Sequence, residues 1–264
     1  MLAAAGTDHD ARRRYLDGRQ RGAVLTHHNI LSNMESLKQV FRISRDDRIL
    51  GVHPFSTPFG LMGTLFLPAV IGVPVVYHDD PYDTATLEHL AREHGLSMLP
   101  VTPALLDVYS RAVAPQAFWN LRHAVVAGEP VDDEIRVRFT ERYGVEPLEG
   151  FGCVECTSLV SLNVPTVVRE SRQISSRAGT AGQPLPGIAV KIAETTTGEA
   201  LAPEHEGVLW VQGPNVMLGY LGDPELSARV LRGGWYRTGF SASQDADGFL
   251  TIAGPVPDSL GSES

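Results

Sequence analysis

Short apolar runs alternate with longer helix-like stretches between residues 22 and 150, and this alternation constrains the fold more than any other feature. The runs lie at residues 23–25, 49–53, 73–77, 97–100, 124–127 and 146–149. The helix-like stretches lie at residues 29–41, 59–71, 84–94, 103–111 and 132–143. Strands that alternate with helices predict a mostly parallel sheet flanked by helices, which is an α/β fold.

The stretch at residues 84–94 illustrates the helical pattern. Leu87 and Ala91 are four residues apart and share one face, which predicts an amphipathic helix. Asp83 directly precedes this stretch, and Asp132 opens the last stretch of the series. Aspartate accepts hydrogen bonds from the free N–H groups of a first helical turn, so both residues are predicted helix caps.

The composition changes after residue 150, where glycine, proline and threonine become frequent. Short strands are expected at residues 189–193, 207–212, 236–238 and 249–252. We therefore expect the α/β part at residues 21–150 and a smaller β-rich subdomain of the same core at residues 151–254. Residues 1–20 are expected to be a leader that matches neither part, and residues 255–264 a disordered tail.

Charge and cysteine content exclude several classes of function. The net charge of −9 disfavours nonspecific binding to nucleic acid. Two cysteines do not make a disulfide framework, which indicates a reducing compartment and predicts a cytoplasmic protein.

Residues 58–76 are almost wholly apolar, but glycines and prolines interrupt them, so a buried helix followed by a strand is expected in place of a membrane span. Membrane association is expected to be absent or peripheral.

Two separated turns suggest a nucleotide site. The first reads FGCVEC at residues 151–156, and the second reads WYRTG at residues 235–239. An aromatic ring suits a base, and a following glycine permits close approach of the backbone. A glutamate in the same turn is a suitable ligand for a hard divalent cation.

These turns resemble motifs of the adenylate-forming superfamily, most closely the acyl-carrier-protein synthetase part of bacterial 2-acylglycerophosphoethanolamine acyltransferases. The resemblance extends from about Arg21 to about Gly254. Its motifs are, in order, GAVLTH at residues 22–27, VAGEP at 126–130, EGFGCVECT at 149–157, GTAGQP at 179–184 and GPNVMLGY at 213–220. The resemblance implies activation of a fatty acid by ATP and Mg²⁺, followed by transfer to acyl carrier protein or coenzyme A.

The resemblance also assigns roles to individual residues. Phe151, Gly152 and Cys153 would contact the nucleotide, with the Phe151 ring against adenine. Glu155 would bind magnesium and so take part in catalysis. Two roles have alternatives: Phe151 as a core aromatic and Glu155 as a solvated turn acid. Cys153 and Cys156 also suggest a metal or redox site, but a single Cys-x-x-Cys pair without partner Cys or His at ligand spacing favours buried small thiols.

Two further sets of residues receive roles in the same way. Gly128, Glu129 and Pro130 would form the other wall of the adenine slot, since ligands of α/β sheets bind where strands end. An ordinary strand-to-helix turn is the alternative. Phe59 and Gly60 would lie at the edge of the acyl pocket, with plain core packing as the alternative.

The chain departs from the family pattern at positions that bear on nucleotide binding. Val154 replaces a threonine hydroxyl, and Phe240 replaces the aspartate that accepts both ribose hydroxyls in the family. Losing two charged hydrogen bonds would weaken nucleotide binding by roughly 10²–10⁴-fold. Residues 16–21 also lack the serine and threonine of the family's phosphate loop, and the family's C-terminal lid with its catalytic lysine has no counterpart.

Two hypotheses follow. In the first, the chain is the central part of an ATP-dependent acyl-adenylate-forming ligase and is strongly impaired when alone. In the second, it is a non-catalytic module that binds an acyl ligand or a partner in the same cleft.

Overall fold

The computed structural model describes residues 2–5, 21–165 and 175–256. Most of the expected leader, most of the expected tail and the position of the family's phosphate loop lie outside these ranges. Residues Leu2–Ala5 (β1) form a strand that pairs antiparallel with Gly22–Leu25 (β2).

A seven-stranded sheet forms the centre of the molecule. Its strands are Ile49–Gly51 (β3), Val75–Tyr77 (β4), Met98–Val101 (β5), His123–Ala127 (β6), Pro147–Gly152 (β7), Leu159–Leu162 (β8) and Gln183–Pro184 (β9). They pair in the order β4-β3-β5-β6-β7-β8-β9. The pairs from β4 to β7 are parallel, whereas β8 and β9 are added antiparallel. The predicted mostly parallel sheet is therefore confirmed.

A second, antiparallel sheet follows in the chain. Its strands are Ala189–Ala193 (β10), Gly207–Gln212 (β11), Leu231–Arg232 (β12), Trp235–Gln244 (β13) and Leu250–Pro255 (β14). This sheet confirms that a smaller β-rich part follows the α/β part. The boundary expected at residue 150 falls inside β7, and the change from one sheet to the other comes between β9 and β10.

The helices of the described ranges lie close to the predicted stretches. They are His27–Phe41 (α1), Pro58–Leu61 (α2), Leu67–Ile71 (α3), Thr84–His94 (α4), Pro103–Ala112 (α5), Asp133–Tyr143 (α6) and Pro224–Val230 (α7). Asp83 accepts a hydrogen bond from the N–H of Thr86, and Asp132 accepts one from the N–H of Glu134, so both predicted caps are confirmed.

The single helix expected at residues 59–71 is divided. A π-helical turn at Met62–Phe66 joins α2 to α3. Gly72, with φ of 80°, ends the segment, and the chain then enters β4. Among the helices in the described ranges, none has the length and apolar content needed to span a bilayer.

The central sheet is covered on both faces. Along β6, the Val125 side chain joins the core that contains α1, whereas Ala124 and Val126 join the core that contains α4, α5 and α6. Burial on both faces explains why most of the predicted runs are apolar throughout. Because the parallel strands point the same way, their carboxyl ends meet at one edge, where the loops that follow them come together.

Candidate active site

A cavity of about 400 Å³ lies at the carboxyl ends of the parallel strands. Residues that follow β3, β5, β6 and β7 contribute to its wall, and the segment around α2 closes one side. The lining residues are His53, Thr57, Pro58, Phe59, Thr102, Pro103, Ala104, Ala127, Gly128, Glu129, Gly152, Cys153, Ser158 and Leu159.

The cavity brings together five of the residues that the sequence predicts for the site. These are Phe59, Gly128, Glu129, Gly152 and Cys153. They come from three segments that are far apart in the chain, and their convergence at one edge of the sheet follows from the parallel topology. The other four predicted residues, Gly60, Pro130, Phe151 and Glu155, do not line this cavity.

Close packing within the protein accounts for two of the predicted glycines. A Cβ atom on Gly152 would lie 1.9 Å from the carbonyl oxygen of Ser158, and one on Gly60 would lie 2.3 Å from that of Pro54. Both contacts are far shorter than van der Waals distance, so a side chain at either position requires the backbone to move. The sequence predicts that Gly152 permits another group to approach the backbone closely. In the structure the group that approaches is strand β8 of the same sheet, with which Gly152 pairs.

The loop after β6 turns sharply away from the sheet. Gly128 adopts φ of 110°, a conformation that disfavours any side chain. Gly128, Glu129 and Pro130 are exposed in this loop. The buried Glu149 carboxylate holds the loop's far end by accepting a hydrogen bond of 3.1 Å from the N–H of Val131. Burial raises the pKa of Glu149, while this hydrogen bond opposes the increase. A role of the loop in nucleotide binding stays a prediction.

Glu155 lies in a short 3-10 turn, Val154–Cys156, that follows β7. Its residue surface is only 3% exposed, which contradicts the alternative of a solvated turn acid. The hydroxyl of Tyr220 donates a hydrogen bond of 3.0 Å to Oε1 of Glu155. The N–H of Met217 donates one of 2.8 Å to the Glu155 carbonyl oxygen.

The segment at residues 213–220 holds the rest of this turn. Thr157 has φ of 70°, which is unusual for a β-branched residue, and its Oγ1 donates to the carbonyl oxygen of Asn215 at 2.8 Å. Nδ2 of Asn215 donates in return to the carbonyl oxygen of Cys156 at 3.1 Å. Strand β2 lies on the other side of the segment, where the N–H of Val24 donates to the carbonyl oxygen of Gly219 at 2.9 Å. Three of the sequence motifs therefore meet around Glu155.

The surroundings of Glu155 limit the kind of metal site that they can form. Within the described ranges, no group of three or more His, Cys, Asp or Glu side chains is placed to hold a metal ion. Mg²⁺ commonly binds through one or two carboxylates, with phosphate and water oxygens as its other ligands. The described residues therefore do not fit a metal held by protein ligands alone, and the magnesium role of Glu155 stays a prediction.

The Phe151 ring is buried and packs against a second aromatic ring. Phe151 is 8% exposed, and its ring centroid lies 5.1 Å from that of Phe240 with an interplanar angle of 73°. This edge-to-face geometry is favourable between aromatic rings. The N–H of Phe240 donates to Oγ1 of Thr238 at 3.2 Å, which fixes the backbone there. An apolar ring thus stands where the resemblance implies a ribose-binding carboxylate, and the adenine role of Phe151 stays a prediction.

Both cysteines carry buried thiols that are not part of a disulfide bond. The expectation that they are small buried thiols is confirmed. Cys153 also lines the cavity, whereas Cys156 is fully buried in the core beneath the turn.

His53 and Thr102 are two of the nine lining residues that were not among the predicted site residues. Each follows the end of a parallel strand, and this position is the signal that was available in the sequence. The His53 ring packs against the Phe59 ring at a centroid distance of 5.3 Å, and its Nε2 has no hydrogen-bond partner among the described residues. Burial lowers the pKa of His53, which the backbone carbonyl of Pro100 partly opposes, so a neutral imidazole is favoured.

Comparisons with known proteins agree with this fold. A family model described as "AMP-binding enzyme" matches residues 17–221. A long-chain-fatty-acid–CoA ligase of Salmonella typhimurium is 30% identical over 240 residues, which are 89% of this chain and 41% of the relative. A feruloyl-CoA synthase of Amycolatopsis is 28% identical over 250 residues, which are 92% of this chain and 48% of the relative. The chain thus spans about half the length of these curated relatives.

Solved structures share the fold. ATP-bound MatB from Rhodopseudomonas palustris matches with a TM-score of 0.80 at 23% identity, over 90% of this chain and 46% of that one. The o-succinylbenzoate coenzyme A synthetase MenE from Bacillus subtilis, in complex with AMP, matches with a TM-score of 0.79 at 24% identity, over 89% of this chain and 47% of that one.

Proposed function

The chain belongs to the AMP-binding enzyme family, and on this premise we propose that it is the central part of a ligase that activates a carboxylic acid as an acyl adenylate. The acceptor of the acyl group would be a thiol, either coenzyme A or acyl carrier protein. ATP and Mg²⁺ would be the cofactors. Two cysteines outside any disulfide bond suit a reducing compartment, so the proposal includes a cytoplasmic location.

The observation that carries this proposal is the cavity at the carboxyl ends of β3, β5, β6 and β7. It is enclosed mainly by carbon-rich residues such as Phe59 and Leu159. A cavity of about 400 Å³ falls within the usual size range of small-molecule sites. Its wall holds an acyl or aryl group away from water, and the turn that carries Glu155 follows β7 at one end.

Each group would have a separate task. The cavity wall would bind the hydrophobic part of the acid and fix the direction of its carboxylate, which contributes to rate by positioning. Glu155 would supply a carboxylate ligand to magnesium. ATP, when bound, supplies the phosphate that the carboxylate attacks and the pyrophosphate that leaves.

The proposal includes a weakened nucleotide site. Phe240 packs on Phe151 and offers no acceptor for the ribose hydroxyls, and Val154 offers no hydroxyl. We therefore expect the isolated chain to bind a carboxylic acid better than it binds ATP.

Two measurements on the same preparation test the proposal. Calorimetric titration with cinnamate, octanoate and palmitate should give saturable binding for at least one acid in the absence of ATP. ATP–pyrophosphate exchange with the same acids should be slow or undetectable. Rapid exchange would overturn the proposed weakness of the nucleotide site, and absence of binding by every acid would overturn the assignment of the cavity.

The second candidate function is a non-catalytic acyl-binding or partner-binding module. The contact between Phe151 and Phe240 favours it, because the apolar Phe240 ring offers no hydrogen-bond acceptor for a ribose beside Phe151. Acid binding whose affinity is unchanged by saturating MgATP supports the module, whereas tighter binding in the presence of MgATP supports the ligase.

A further inference from the structure

We propose that Glu149 is a positioning residue for ligand binding, whose ionised carboxylate ties the loop after β6 to the turn at residues 177–180. The inference rests on the proposed function and deepens it, because this loop supplies Gly128 and Glu129 to the wall of the acid-binding cavity. Glu149 itself does not line the cavity, so it acts on a ligand only through the loop.

The two oxygens of the Glu149 carboxylate serve two separate segments. Oε2 accepts a hydrogen bond of 3.1 Å from the N–H of Val131, where the loop after β6 ends. Oε1 accepts one of 3.4 Å from the N–H of Gly179, in the turn at residues 177–180. The two segments are far apart in the chain, and Glu149 between them is only 7% exposed. The carboxylate is therefore a buried bridge between two exposed parts of the surface.

The turn at residues 177–180 is anchored independently of this bridge. Oδ1 of Asn163 accepts a hydrogen bond of 2.9 Å from the N–H of Arg177, and Nδ2 of Asn163 donates one of 2.7 Å to the carbonyl oxygen of Thr180. The Arg177 guanidinium also pairs with the Asp245 carboxylate. The turn is thus the fixed end of the bridge, and the loop after β6 is the end that Glu149 positions.

The buried charge of Glu149 does not serve folding stability at neutral pH. Burial raises the pKa of Glu149 above its ordinary value, although the N–H groups of Val131 and Gly179 oppose the increase. On α6, Arg136 also opposes the increase and Asp133 adds to it. When a folded pKa lies above the unfolded value, the stability is complete below the unfolded pKa and is lost as the pH rises through the folded pKa. The ionised form therefore costs stability, while it alone offers an acceptor to both N–H groups without carrying a proton.

Glu149→Gln separates the bridge from the stability of the fold. Glutamine has nearly the same size but one acceptor oxygen, and its NH2 group would face one of the two N–H groups. Hydrogen–deuterium exchange of the Val131 or the Gly179 amide, measured by NMR, should accelerate about 10-fold. Because the variant removes a buried charge, its denaturant midpoint at pH 7 should equal or exceed that of wild type. Glu141→Gln changes an exposed glutamate of α6 and is the matched control, with no change in exchange.

Calorimetric titration with cinnamate, octanoate and palmitate measures the effect on the ligand. At pH 7, the affinity of Glu149→Gln for an acid that binds wild type should be about 3- to 10-fold lower. The ratio of the two affinities cancels ionisation of the acid itself. This ratio should approach one as the pH falls through the raised pKa of Glu149, because the protonated wild-type side chain then also lacks the second free acceptor.

The outcomes separate this inference from the proposed function. Unchanged exchange of both amides in Glu149→Gln, or an affinity ratio that does not depend on pH, overturns the role of Glu149 while the cavity assignment stands. A lower denaturant midpoint for Glu149→Gln than for Glu141→Gln identifies a merely structural residue and also overturns the role. If wild-type protein binds none of the acids, the proposed function fails and the effect on affinity fails with it, while amide exchange still decides whether Glu149 ties the loop to the turn.

Discussion

Substitution of Phe240 by aspartate should create the ribose contact that the chain lacks. A carboxylate at this position would accept hydrogen bonds from both ribose hydroxyls of a nucleotide stacked near Phe151. Each charged hydrogen bond contributes about 1.5–3 kcal/mol, so two of them correspond to a decrease in the ATP dissociation constant of roughly 10²–10⁴-fold. The hydrogen bond from the N–H of Phe240 to Thr238 uses only backbone and threonine atoms, so it survives the change.

The substitution also carries a cost in stability. It removes the edge-to-face contact with Phe151, which is worth about 0.5–1.5 kcal/mol beyond the loss of apolar burial. For a domain of this size, that contact alone corresponds to a decrease of roughly 1–6 °C in the melting temperature. The variant should therefore bind ATP more tightly while unfolding at a lower temperature.

Isothermal titration of ATP measures the first effect, and differential scanning fluorimetry measures the second. Phe240→Ala removes the ring without adding an acceptor and is the matched control. A second control is 2′,3′-dideoxy-ATP, whose affinity should not improve in Phe240→Asp. If Phe240→Asp binds ATP no more tightly than Phe240→Ala, or gains equally for the dideoxy nucleotide, the ribose argument is refuted.

Two further predictions concern stability. Gly152→Ala should destabilise the fold by more than about 2 kcal/mol, because the added methyl group would lie 1.9 Å from the carbonyl oxygen of Ser158. Gly63→Ala is the control and should not destabilise the fold, because a Cβ atom there has no neighbour within 4 Å. Equal denaturant midpoints for the two variants would contradict this prediction. Burial alone would raise the pKa of Asp47, but hydrogen bonds to its carboxylate and the ion pair with Arg122 at 2.8 Å give a net lowered pKa. Its stabilising contribution is therefore complete above the unfolded pKa of about 3.9 and is lost as the pH falls through the lower folded value. Asp47→Asn should lower the free energy of unfolding by about 1–3 kcal/mol at pH 7. Urea titrations should show that the difference in unfolding free energy between this variant and wild type shrinks below pH 3. A difference in unfolding free energy that does not depend on pH would contradict the prediction.

The elements that sequence reasoning placed correctly are those fixed by local chemistry. Asp83 and Asp132 cap their helices because a short acceptor side chain at that point satisfies free N–H groups. The apolar runs from residue 49 onward became parallel strands because a sheet buried on both faces needs mainly apolar residues, whereas the run at residues 23–25 became β2, which pairs antiparallel with β1. Burial of Cys153 and Cys156 follows from their small, weakly polar side chains.

The features that escaped prediction depend on contacts between distant segments. Strand β7 extends to Gly152, beyond the expected end at residue 149, because Phe151 and its neighbours pair with β8. His53 was counted as the end of an apolar run, and only the assembled sheet places it beside the cavity. The π-helical turn at Met62–Phe66 was also missed, because the apolar pattern of residues 59–71 does not distinguish it from an α-helix.

The hydrogen bond from Tyr220 to Glu155 joins residues that are 65 positions apart in the chain. While the protein folds, Glu155 and its turn can therefore form early, but they acquire their final orientation only after the chain has returned through residues 213–220. A nascent chain released before this point would contain the glutamate without the partner that fixes it. The final orientation of Glu155 is thus a late event in folding, set by long-range closure rather than by formation of the turn itself.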